Sequence, residues 1–393
     1  MMQQIRVCYV APFGTSVKVG GGEIYLLELH KSLKELLKEY YEAYLISCKK
    51  SKYMKTYLIK LKNIHSPVAS YVTFSIASFF KLKKIIRRNK INIINVHGGY
   101  GIGAILSKYS NGFPKLSILS TAHGTLIGWF KRLKTMKIPS LENMDILCAL
   151  EREAFYQSDR VISVSDHVTQ ELTKYYKIKR SKIETLYSGV NLNFFSSSSN
   201  NKFRKKHKLL NKAIILFVGR LTRWKGVLDL IKALSLVKKD IPNVVLIVVG
   251  REYDLSKQLI YSYAEKYDVA NYVKVIGWVS RKKLPEVYAS ADVVAIPSYY
   301  EGLPLVALEA LASGKPIVAT EVVGIPEILK GSRAGIIIKA GDEKDLARGL
   351  VHFLTLRNDE KKVVQLEARK IAQRYSWDIL AKKVLKVYQE VIE

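Results

Sequence analysis

The sequence repeats one pattern: a short apolar run of strand length, a turn, and a longer amphipathic segment of helix length. The first copy is "IRVCYV", then a glycine-rich turn, then "EIYLLELHKSLKELLKEY", in which apolar residues recur at helical spacing: Leu26, Leu29, Leu33 and Leu36. The runs "AYLIS", "INIINV", "LSILS" and "RVISV" continue the strands. Strands that alternate with helices form parallel sheets covered by helices, which predicts an α/β fold.

The alternation is interrupted once, by the polar and breaker-rich stretch "NLNFFSSSSNNKFRKKHKLLNK". A second series of apolar runs follows, from "AIILFVG" to "AGIIIK", and predicts a second parallel sheet. We therefore predict two Rossmann-like, doubly wound domains at residues 1–190 and 213–375, joined by a linker at 191–212. The amphipathic end, residues 376–393, is expected to pack back on the first domain. Ligands of such folds bind beyond the carboxyl ends of the strands, so the site is expected in a cleft between the domains.

The chain of 393 residues is strongly basic, with a formal net charge of +30. Residues 43–141 are the extreme, because they contain 18 Lys and Arg residues and no Asp or Glu. Such a surface predicts anionic partners. No apolar run reaches the roughly 18 residues that span a bilayer, and the start of the chain lacks signal-peptide features, so a cytoplasmic protein is expected. The cysteines are scattered, which predicts neither disulfides nor a zinc site.

The stretch "HGGYGIGA" matches the dinucleotide-binding fingerprint through Gly99, Gly101 and Ala104. An NAD site also requires an acidic residue about 20 positions further on to hold the ribose, and residues 43–141 contain none. We therefore interpret the stretch as a tight turn that lets His97 face the cleft.

A more informative turn is "FVGRLTRWKG", where a predicted strand ends at Gly219, and Arg220, Lys225 and Gly226 lead into a predicted helix. A helix N-terminus offers N–H groups and the positive end of the helix dipole, and the two side chains add two full charges. The order of the Walker loop, GxxxxGK followed by Ser or Thr, is absent. The turn predicts an anion site that suits a diphosphate, with a solvated basic turn as the alternative.

Two glutamates, Glu301 and Glu309, stand eight positions apart in "SYYEGLPLVALEALASGKPIVAT". On one continuous helix they would lie about 12 Å apart, too far for the carboxylate pair of a retaining glycosidase. Pro304 instead predicts a helix start, with Glu301 in the loop before it and Glu309 inside the helix. Two carboxylates at different depths suit different hydroxyls of one extended ligand. The alternative for Glu309, a surface position, fits poorly with its apolar neighbours "LVALEALA".

With Arg220, Lys225, Glu301 and Glu309 in this order, the chain resembles the retaining nucleotide-sugar glycosyltransferases of the GT-B fold, family 4. The resemblance includes "GR...KG", "ADVVAIPSYYEGLPLVALEALASGKPIVAT" and the amino-terminal "VGGGE". It implies that Arg220 and Lys225 hold the donor diphosphate. It also implies that Glu309 binds the ribose hydroxyls and Glu301 a hydroxyl of the transferred sugar. The further donor contacts that it implies are Gly20, Gly21 and Gly22 near the phosphates, Gly219 within the donor site, Gly302, Leu303 and Pro304 near the sugar and phosphate, and Trp278 and Val279 near the nucleobase.

The resemblance also implies that His123 in "TAHGT" contacts the transferred sugar, which completes a catalytic set with Arg220, Lys225 and Glu301. Negative charge develops on the departing diphosphate, and cations stabilise it more in the transition state than in the ground state. No metal ion or cofactor is therefore expected, and the chain has no Asp-x-Asp pair. The stretch "HGTLIGWF" lacks the Asp that relatives often have after "HG", and "SGVN" stands where they have Asn-Gly-Val-Asp.

Two segments join apolar or aromatic residues to clustered bases, "PVASYVTFSIASFFKLKKIIRRNK" and "WFKRLKTMK". This pattern is typical of an interfacial segment on anionic lipid. We predict a peripheral enzyme on the inner face of the cell membrane, with a UDP- or GDP-sugar donor and a lipid-linked or glycan acceptor. The alternative is a buried helix at 71–80 with the bases as a solvated face. The residues predicted to contact acceptor or membrane are His97, Lys81, Lys83, Lys84, Arg87, Arg88, Lys131 and Arg132.

Other functional classes stay open. A nucleic-acid-binding protein would explain the charge, but carboxylates in the cleft repel phosphate backbones and no DNA or RNA motif is present, so no specific nucleic-acid partner is expected. A same-fold epimerase would need no acceptor, and a phosphorylase would need inorganic phosphate. The third alternative is a non-catalytic protein that binds nucleotide sugars, against which the intact set of Arg220, Lys225, Glu301 and Glu309 argues.

Overall fold

The computed structural model of the chain describes residues 4–12, 20–61, 67–110, 116–135, 143–196, 201–322 and 324–393. The chain divides into two compact units, Met1–Gly189 with Trp377–Glu393, and Val190–Ser376. Each unit is built on one parallel sheet with helices between successive strands. The predicted α/β class with two Rossmann-like, doubly wound domains is confirmed.

The described residues of the first unit form a 7-stranded sheet with strands β1 Ile5–Val10, β2 Tyr41–Ser47, β3 Lys55–Leu58, β4 Ile93–His97, β5 Ser117–Ala122, β6 Arg160–Ser163 and β7 Ile183–Thr185. The order is β3-β2-β1-β4-β5-β6-β7, and every neighbouring pair is parallel. The strands β4 and β5 are buried along their whole length, as expected for a sheet covered on both faces. The strands β3 and β7, "KTYL" and "IET", are too short and polar for the apolar pattern to predict them.

The helices that connect these strands, among the described residues, are α1 Gly21–Leu37, α2 Pro67–Asn89, α3 Ile102–Ser110, α4 Leu126–Thr135, α5 Met144–Gln157 and α6 Asp166–Lys174. The predicted stripe of α1 is buried at Leu26, Leu29 and Leu33, but Leu36 is 40% exposed. Leu37 is buried in its place. The reason is helix geometry, because at about 100° per residue Leu37 returns to the direction of Leu26 and Leu36 does not.

The helix at the end of the chain, Trp377–Ile392, belongs to the first unit. It packs along α1, where Ser32 Oγ donates a hydrogen bond to Asp378 Oδ1 at 3.2 Å. Asn95 Nδ2, in the middle of β4, donates to the Tyr388 hydroxyl at 2.8 Å. The buried residues of the helix recur at helical spacing, which is the amphipathic pattern that the sequence shows.

The second unit has a 6-stranded parallel sheet of the order β10-β9-β8-β11-β12-β13 among its described residues, with β8 Ala213–Val218, β9 Val244–Val249, β10 Val273–Gly277, β11 Val293–Ile296, β12 Ile317–Thr320 and β13 Gly335–Ile338. Its helices among the described residues are α7 Leu192–Ser196, α8 Asn201–Lys206, α9 Val227–Asp240, α10 Lys257–Lys266, α11 Leu284–Ser290, α12 Leu305–Ala312, α13 Ile325–Leu329, α14 Glu343–Thr355 and α15 Asn358–Gln373. The last helix of the chain, Trp377–Ile392 of the first unit, is α16. Single 3-10 turns stand at Lys38–Tyr40, Arg180–Lys182, Arg223–Lys225, Ala270–Tyr272 and Arg281–Lys283.

The segment 191–212, predicted as a linker, differs from that prediction. It contains α7 and α8, and both belong to the second unit. Phe195 is buried with its ring centroid 5.6 Å from that of Tyr288. Arg204 pairs with both carboxylate oxygens of Asp292, at 2.9 and 2.8 Å. These anchoring side chains stand singly in a polar stretch, and their burial depends on partners about 90 positions further along the chain.

None of the helices that the structure describes is both long enough and apolar enough to pass through a lipid bilayer.

Candidate active site

The second sheet reverses its strand order at β8, whose neighbours are β9 and β11. Doubly wound sheets bind ligands at this kind of switch point, beyond the carboxyl ends of the strands. Residues 219–226 follow β8, and residues 297–304 follow β11. The two loops are joined directly, because the Tyr299 backbone N–H donates to the Trp224 carbonyl oxygen at 2.8 Å. The structure thus brings the predicted diphosphate turn and the predicted sugar-binding loop together.

Two glycines allow close backbone approach here, Gly226 between the two loops and Gly250, directly after β9, against the first of them. Gly226 has φ +69, and a Cβ there would lie 1.9 Å from the Pro297 carbonyl oxygen. A Cβ on Gly250 would lie 1.6 Å from the Gly219 carbonyl oxygen. Both positions therefore require glycine. Gly219 itself donates its N–H to the Val249 carbonyl oxygen at 3.0 Å, so its amide is engaged with the sheet, and its place in the donor site stays a prediction.

The side chain of Arg220 is exposed at the end of β8 and lies beside two aromatic rings. Its guanidinium carbon is 5.6 Å from the ring centroid of Trp224 and 5.9 Å from that of Tyr253. Cation–π contacts of this kind orient a guanidinium without neutralising it. Arg220 therefore presents a full positive charge at the predicted phosphate position.

Lys225 and Glu301 form an ion pair between Lys225 Nζ and Glu301 Oε1. Ser298 Oγ donates to the same carboxylate oxygen at 2.8 Å. Both side chains of the pair are mostly buried. The residues implied to hold the diphosphate and the sugar therefore lie in direct contact at the switch point. The expected loop position of Glu301, just before the start of α12, is also where the structure has it.

Tyr299 and Asp229 hold the two loops in place, and sequence reasoning missed both. The Tyr299 side chain hydrogen-bonds to Asp229 in the first turn of α9. Burial raises the pKa of Asp229, and the bond from Tyr299 opposes that rise. Through its backbone and its hydroxyl, Tyr299 thus connects the loop after β11 to Trp224 and Asp229, which lie on either side of Lys225 in the chain.

Glu309 lies inside α12 and is buried, as its apolar neighbours predict. Arg281 Nη1 donates to its Oε1 at 3.0 Å, and the Tyr288 hydroxyl donates to its Oε2 at 2.8 Å. Burial raises the pKa of Glu309, while Arg281 and then Tyr288 oppose the rise. The implied ribose-binding carboxylate is therefore held by two side chains that the sequence did not single out. Arg281 stands two positions after Val279, inside a run of bases that conceals it.

The segment implied to receive the nucleobase follows β10. Gly277 has φ +79, and after it Trp278 is exposed and Val279 half-buried. The chain then turns at Arg281–Lys283 into α11. The Arg281–Glu309 contact ties this segment to α12, so the implied nucleobase and ribose contacts lie next to each other. Of the residues between Glu301 and α12, Leu303 and Pro304 are buried and Gly302 is half-buried.

In the first unit, His97 and His123 end β4 and follow β5, and their rings contact each other. His97 Nδ1 and His123 Nε2 are 3.0 Å apart, so one ring donates to the other. The ring of Tyr25 lies edge-on to His123, with centroids 4.8 Å apart. Burial lowers the pKa of His123 to about 4. Burial and the neighbouring His123 hold the pKa of His97 well below its usual range. Both imidazoles are therefore neutral at pH 7.

The position of His97 differs from the expected acceptor or membrane contact, because the side chain is fully buried beneath Tyr9, Tyr25 and His123. It can act on a ligand only through His123. The turn after β4, interpreted as a means to expose His97, instead holds the ring inside the unit.

The glycines of "VGGGE" form the start of α1, and residues 13–19 before them lie outside the described part. Gly20 is the N-cap, and its N–H donates to the side chain of Glu23, which is buried. Gly21 is exposed and Gly22 half-buried. The turn implied to face the phosphates thus already holds a carboxylate, that of Glu23, which accepts a hydrogen bond from the Gly20 N–H at the start of the helix.

The helix α2 divides its apolar residues between two faces. Phe74, Leu82 and Ile85 are buried, whereas Ile76 is 52% and Phe80 65% exposed. The alternative of a buried helix therefore holds for one face of this segment, and contact of the other face with a membrane stays a prediction. The neighbouring helix α3 packs close to α2, since a Cβ on Gly103 would lie 2.2 Å from the Ser75 carbonyl oxygen. We call the exposed apolar residues of these two helices the α2–α3 face: Val72, Ile76, Phe80, Leu106 and Tyr109.

Most of the basic residues predicted to contact acceptor or membrane lie on the carboxyl-terminal half of α2, and two lie on α4. Lys84, Arg87 and Arg88 are exposed, and Lys81 and Lys83 are half-buried. On α4, Lys131 is exposed with its Nζ 3.5 Å from the centroid of the Tyr175 ring, and Arg132 is half-buried. Among the residues that the structure describes, no group of three or more His, Cys, Asp or Glu side chains comes together in a way that could hold a metal ion.

Solved structures share the fold over almost the entire chain. The sucrose-phosphate synthase of Thermosynechococcus elongatus superposes with a TM-score of 0.82 at 19% identity, over 99% of both chains. Anabaena HepE in complex with UDP-glucose superposes with a TM-score of 0.77 at 17% identity, over 98% of this chain and 100% of that one. The two doubly wound units are those of the GT-B fold.

Two family models match the chain, one after the other. The model of glycosyltransferase family 4 matches residues 19–194, and that of the glycosyl transferases group 1 matches residues 199–370. An uncharacterized glycosyltransferase of Methanocaldococcus jannaschii is 28% identical over 337 residues, which cover 84% of this chain and 83% of that protein. The D-inositol 3-phosphate glycosyltransferase of Segniliparus rotundus is 30% identical over 62% of this chain and 54% of its own length. The chain belongs to the family 4 glycosyltransferases of the GT-B fold.

Proposed function

We propose that this glycosyltransferase moves a sugar from a nucleotide-diphosphate donor, a UDP- or GDP-sugar, to a lipid-linked or glycan acceptor, with retention and without a metal ion. The observation that carries the proposal is the contact between Lys225 and Glu301 at the switch point. The bond broken in the transfer joins the sugar to the phosphate. A cation that suits the phosphate and a carboxylate that suits the sugar hydroxyls therefore belong side by side, as Lys225 and Glu301 are. The structure of HepE, solved with UDP-glucose, supports a nucleotide-sugar donor.

The chemistry follows from the charges at the switch point. When the bond between the anomeric carbon and the phosphate oxygen breaks, its electron pair stays on the diphosphate. Arg220 and Lys225 stabilise the transition state more than the ground state, because the negative charge on the diphosphate grows as the bond lengthens. The acceptor hydroxyl oxygen forms the new bond to the anomeric carbon, and its proton passes to the released phosphate. Glu301 orients a sugar hydroxyl as a hydrogen-bond acceptor.

The role of His123 follows from its neutrality. An imidazole whose pKa is about 4 carries no charge at pH 7, so it donates or accepts a hydrogen bond but adds no charge to the site. A neutral ring suits the uncharged hydroxyls of the transferred sugar. We therefore assign His123 to sugar positioning and leave charge stabilisation to Arg220 and Lys225.

The α2–α3 face is proposed to dock on an anionic membrane, which gives access to a lipid-linked acceptor. Its apolar side chains are exposed, and Lys84, Arg87 and Arg88 stand beside them on α2. Residues 43–141 contain no acidic side chain to oppose this charge. An apolar strip bordered by bases is complementary to a bilayer surface with anionic head groups.

The donor site is tested by thermal shift with UDP, GDP, ADP and their common sugar conjugates. A nucleotide at about 100 times its Kd stabilises the folded state by about 2.7 kcal/mol. We expect one nucleotide series to raise the midpoint of the wild type and of the control Lys239→Ala, whose side chain is exposed at the far end of α9. Lys225→Ala should lose most of the shift. A shift that Lys225→Ala retains in full would place the nucleotide elsewhere.

A further inference from the structure

Two carboxylates converge on the first turn of α4, directly after His123. Glu151 Oε2, from α5, accepts the Leu126 backbone N–H at 2.7 Å. Glu171 Oε2, from α6, accepts the Thr125 hydroxyl at 2.7 Å. Both carboxylates are buried. A carboxylate near the amino end of a helix is stabilised by the helix dipole, and here it fixes the place where the helix begins.

Glu151 also contacts the turn that follows β4. A Cβ on Gly99 would lie 2.6 Å from Glu151 Cγ, so the side chain packs directly against that backbone. Tyr176 donates its hydroxyl to Glu151 Oε2, which accepts from Leu126 as well. One carboxylate oxygen therefore takes two hydrogen bonds, while the stem of the side chain supports the turn after His97. The two turns that carry the histidines are held by the same residue.

We propose that Glu151 is a positioning residue for sugar transfer, which holds the loop 123–126 so that His123 meets the transferred sugar in the correct orientation. The inference rests on the proposed function. Glu151 acts through Leu126 and Gly99 and touches no substrate. Glu151 supplies a carboxylate to this loop from another helix.

The holding strength depends on the charge of Glu151. Burial raises its pKa to about 7, Tyr176 and the Leu126 N–H oppose the rise, and Glu171 adds to it. Because the folded-state pKa is raised, the carboxylate is ionised only above about pH 7. A hydrogen bond to a charged acceptor is about twice as strong as one to a neutral acceptor. The hydrogen bonds that the Leu126 N–H and the Tyr176 hydroxyl donate to Glu151 therefore strengthen as pH rises through 7, whereas the burial that raises the pKa lowers the stability of the folded state over the same range.

The groups around Glu151 titrate at other pH values. Tyr71 on α2, Tyr100 before α3 and Tyr176 after α6 all have a raised pKa, mainly through burial. Burial raises the pKa of Cys148, on the same helix, to about 11. His123 loses its proton near pH 4. His167 on α6 also lies beside this loop, with its Nε2 3.4 Å from Glu171 Oε1, so a change of rate near pH 7 is assigned to Glu151 only where Glu151→Gln abolishes it.

The test is the pH profile of sugar transfer for the wild type, Glu151→Gln, Tyr176→Phe and the control Glu153→Gln, which changes an exposed residue of the same helix. We expect the wild type and the control to gain about tenfold in kcat from pH 6 to pH 8. Glu151→Gln should stay at the low-pH rate throughout. Tyr176→Phe should move the midpoint to higher pH, because Tyr176 lowers the pKa of Glu151.

Two outcomes would overturn the inference. One is a midpoint near pH 7 that persists in Glu151→Gln. The other is an equal loss of rate at every pH, which would mean that Glu151 supports only the fold. Hydrogen exchange of residues 125–130, wild type against variant at pH 8, gives a readout without substrate, and faster exchange in Glu151→Gln is expected. If no donor and acceptor react even with the wild type, the proposed function fails, while the exchange result still decides whether Glu151 holds the loop.

Discussion

The two units differ in whether charged or neutral side chains stand at the carboxyl edge of the sheet. In the second unit, Lys225 and Glu301 stand at the carboxyl edge of the sheet itself, where a ligand would lie. In the first unit, the carboxyl edge carries the neutral His123, and the carboxylate Glu151 is buried behind it. In the proposed function, one edge supplies charge to the leaving group and the other supplies orientation to the sugar.

This difference follows the chemistry of the two halves of a donor. A diphosphate is charged and gains charge when it leaves, so it requires cations in contact with it. A sugar offers only hydroxyl groups, for which placed neutral donors and acceptors are sufficient. Behind the neutral edge of the first unit, the buried carboxylates Glu151 and Glu171 bind the Leu126 N–H and the Thr125 hydroxyl. They can position the loop after His123 without lying in contact with the phosphate.

The largest effect is expected from removing the cations of the charged edge. Lys225→Ala and Arg220→Ala should each lower kcat by at least about 100-fold, since each removes charge stabilisation that grows in the transition state. Steady-state kinetics with the donor identified by thermal shift measures this, with Lys239→Ala as the control. Near-normal rates in both variants would show that the charge of this edge does not serve the leaving group.

An effect of similar size, on stability and not on rate, is expected where charge is buried within the second unit. Arg281→Ala leaves Glu309 without its cation in a site away from water, and breaking a buried pair in this way costs about 3 kcal/mol. Urea unfolding measures the loss, since urea does not screen the pair. Lys282→Ala, an exposed neighbour in the same turn, is the control.

The stability lost in Arg281→Ala is expected to depend on pH. Burial raises the pKa of Glu309, and Arg281 opposes the rise, so the variant has a still higher folded-state pKa. The folded variant then binds a proton that the unfolded chain releases, and its stability falls as pH rises above the usual range of a glutamate. The destabilisation should be larger at pH 8 than at pH 5. An equal loss at both values would mean that the charge of Glu309 is not its cause.

The sequence predicts what neighbouring residues determine and misses what distant partners determine. The order of strands and turns, the place of Arg220 and Lys225 after β8, and the loop and helix positions of the two glutamates follow from local pattern. The partners of Glu309 lie 28 and 21 positions earlier, and only folding brings them to it. No local pattern distinguishes Arg281 from the bases beside it.

Burial is the other property that the pattern misjudged. His97 is predicted to face the cleft and to contact acceptor or membrane, yet packing by Tyr25 and His123 encloses it. The segment with Phe195 read as a linker because most of its residues are polar. In both cases a few aromatic contacts decide the outcome, and composition averaged over a stretch does not show them.

The smallest effect is expected outside the two edges, on the α2–α3 face. Phe80→Ser removes its most protruding α2 side chain, which is 65% exposed. Full burial of a phenylalanine contributes about 1.5–3 kcal/mol, so completing the burial of Phe80 in lipid contributes about 1–2 kcal/mol. The variant should bind vesicles that contain anionic lipid about tenfold more weakly. Vesicle co-sedimentation measures the change.

Two comparisons show whether this face and not general stickiness binds lipid. Leu36→Ser changes an exposed apolar residue of α1, the helix that packs along α16, and should leave vesicle binding unchanged. Lys84→Ala should weaken binding by about 1 kcal/mol, and the difference should disappear as salt is added, whereas that of Phe80→Ser should remain. Equal losses in Phe80→Ser and Leu36→Ser would remove the α2–α3 face as the docking surface. The nucleotide-induced thermal shift should stay intact in all three variants, because their changes lie in the first unit and the charges that bind the donor lie in the second.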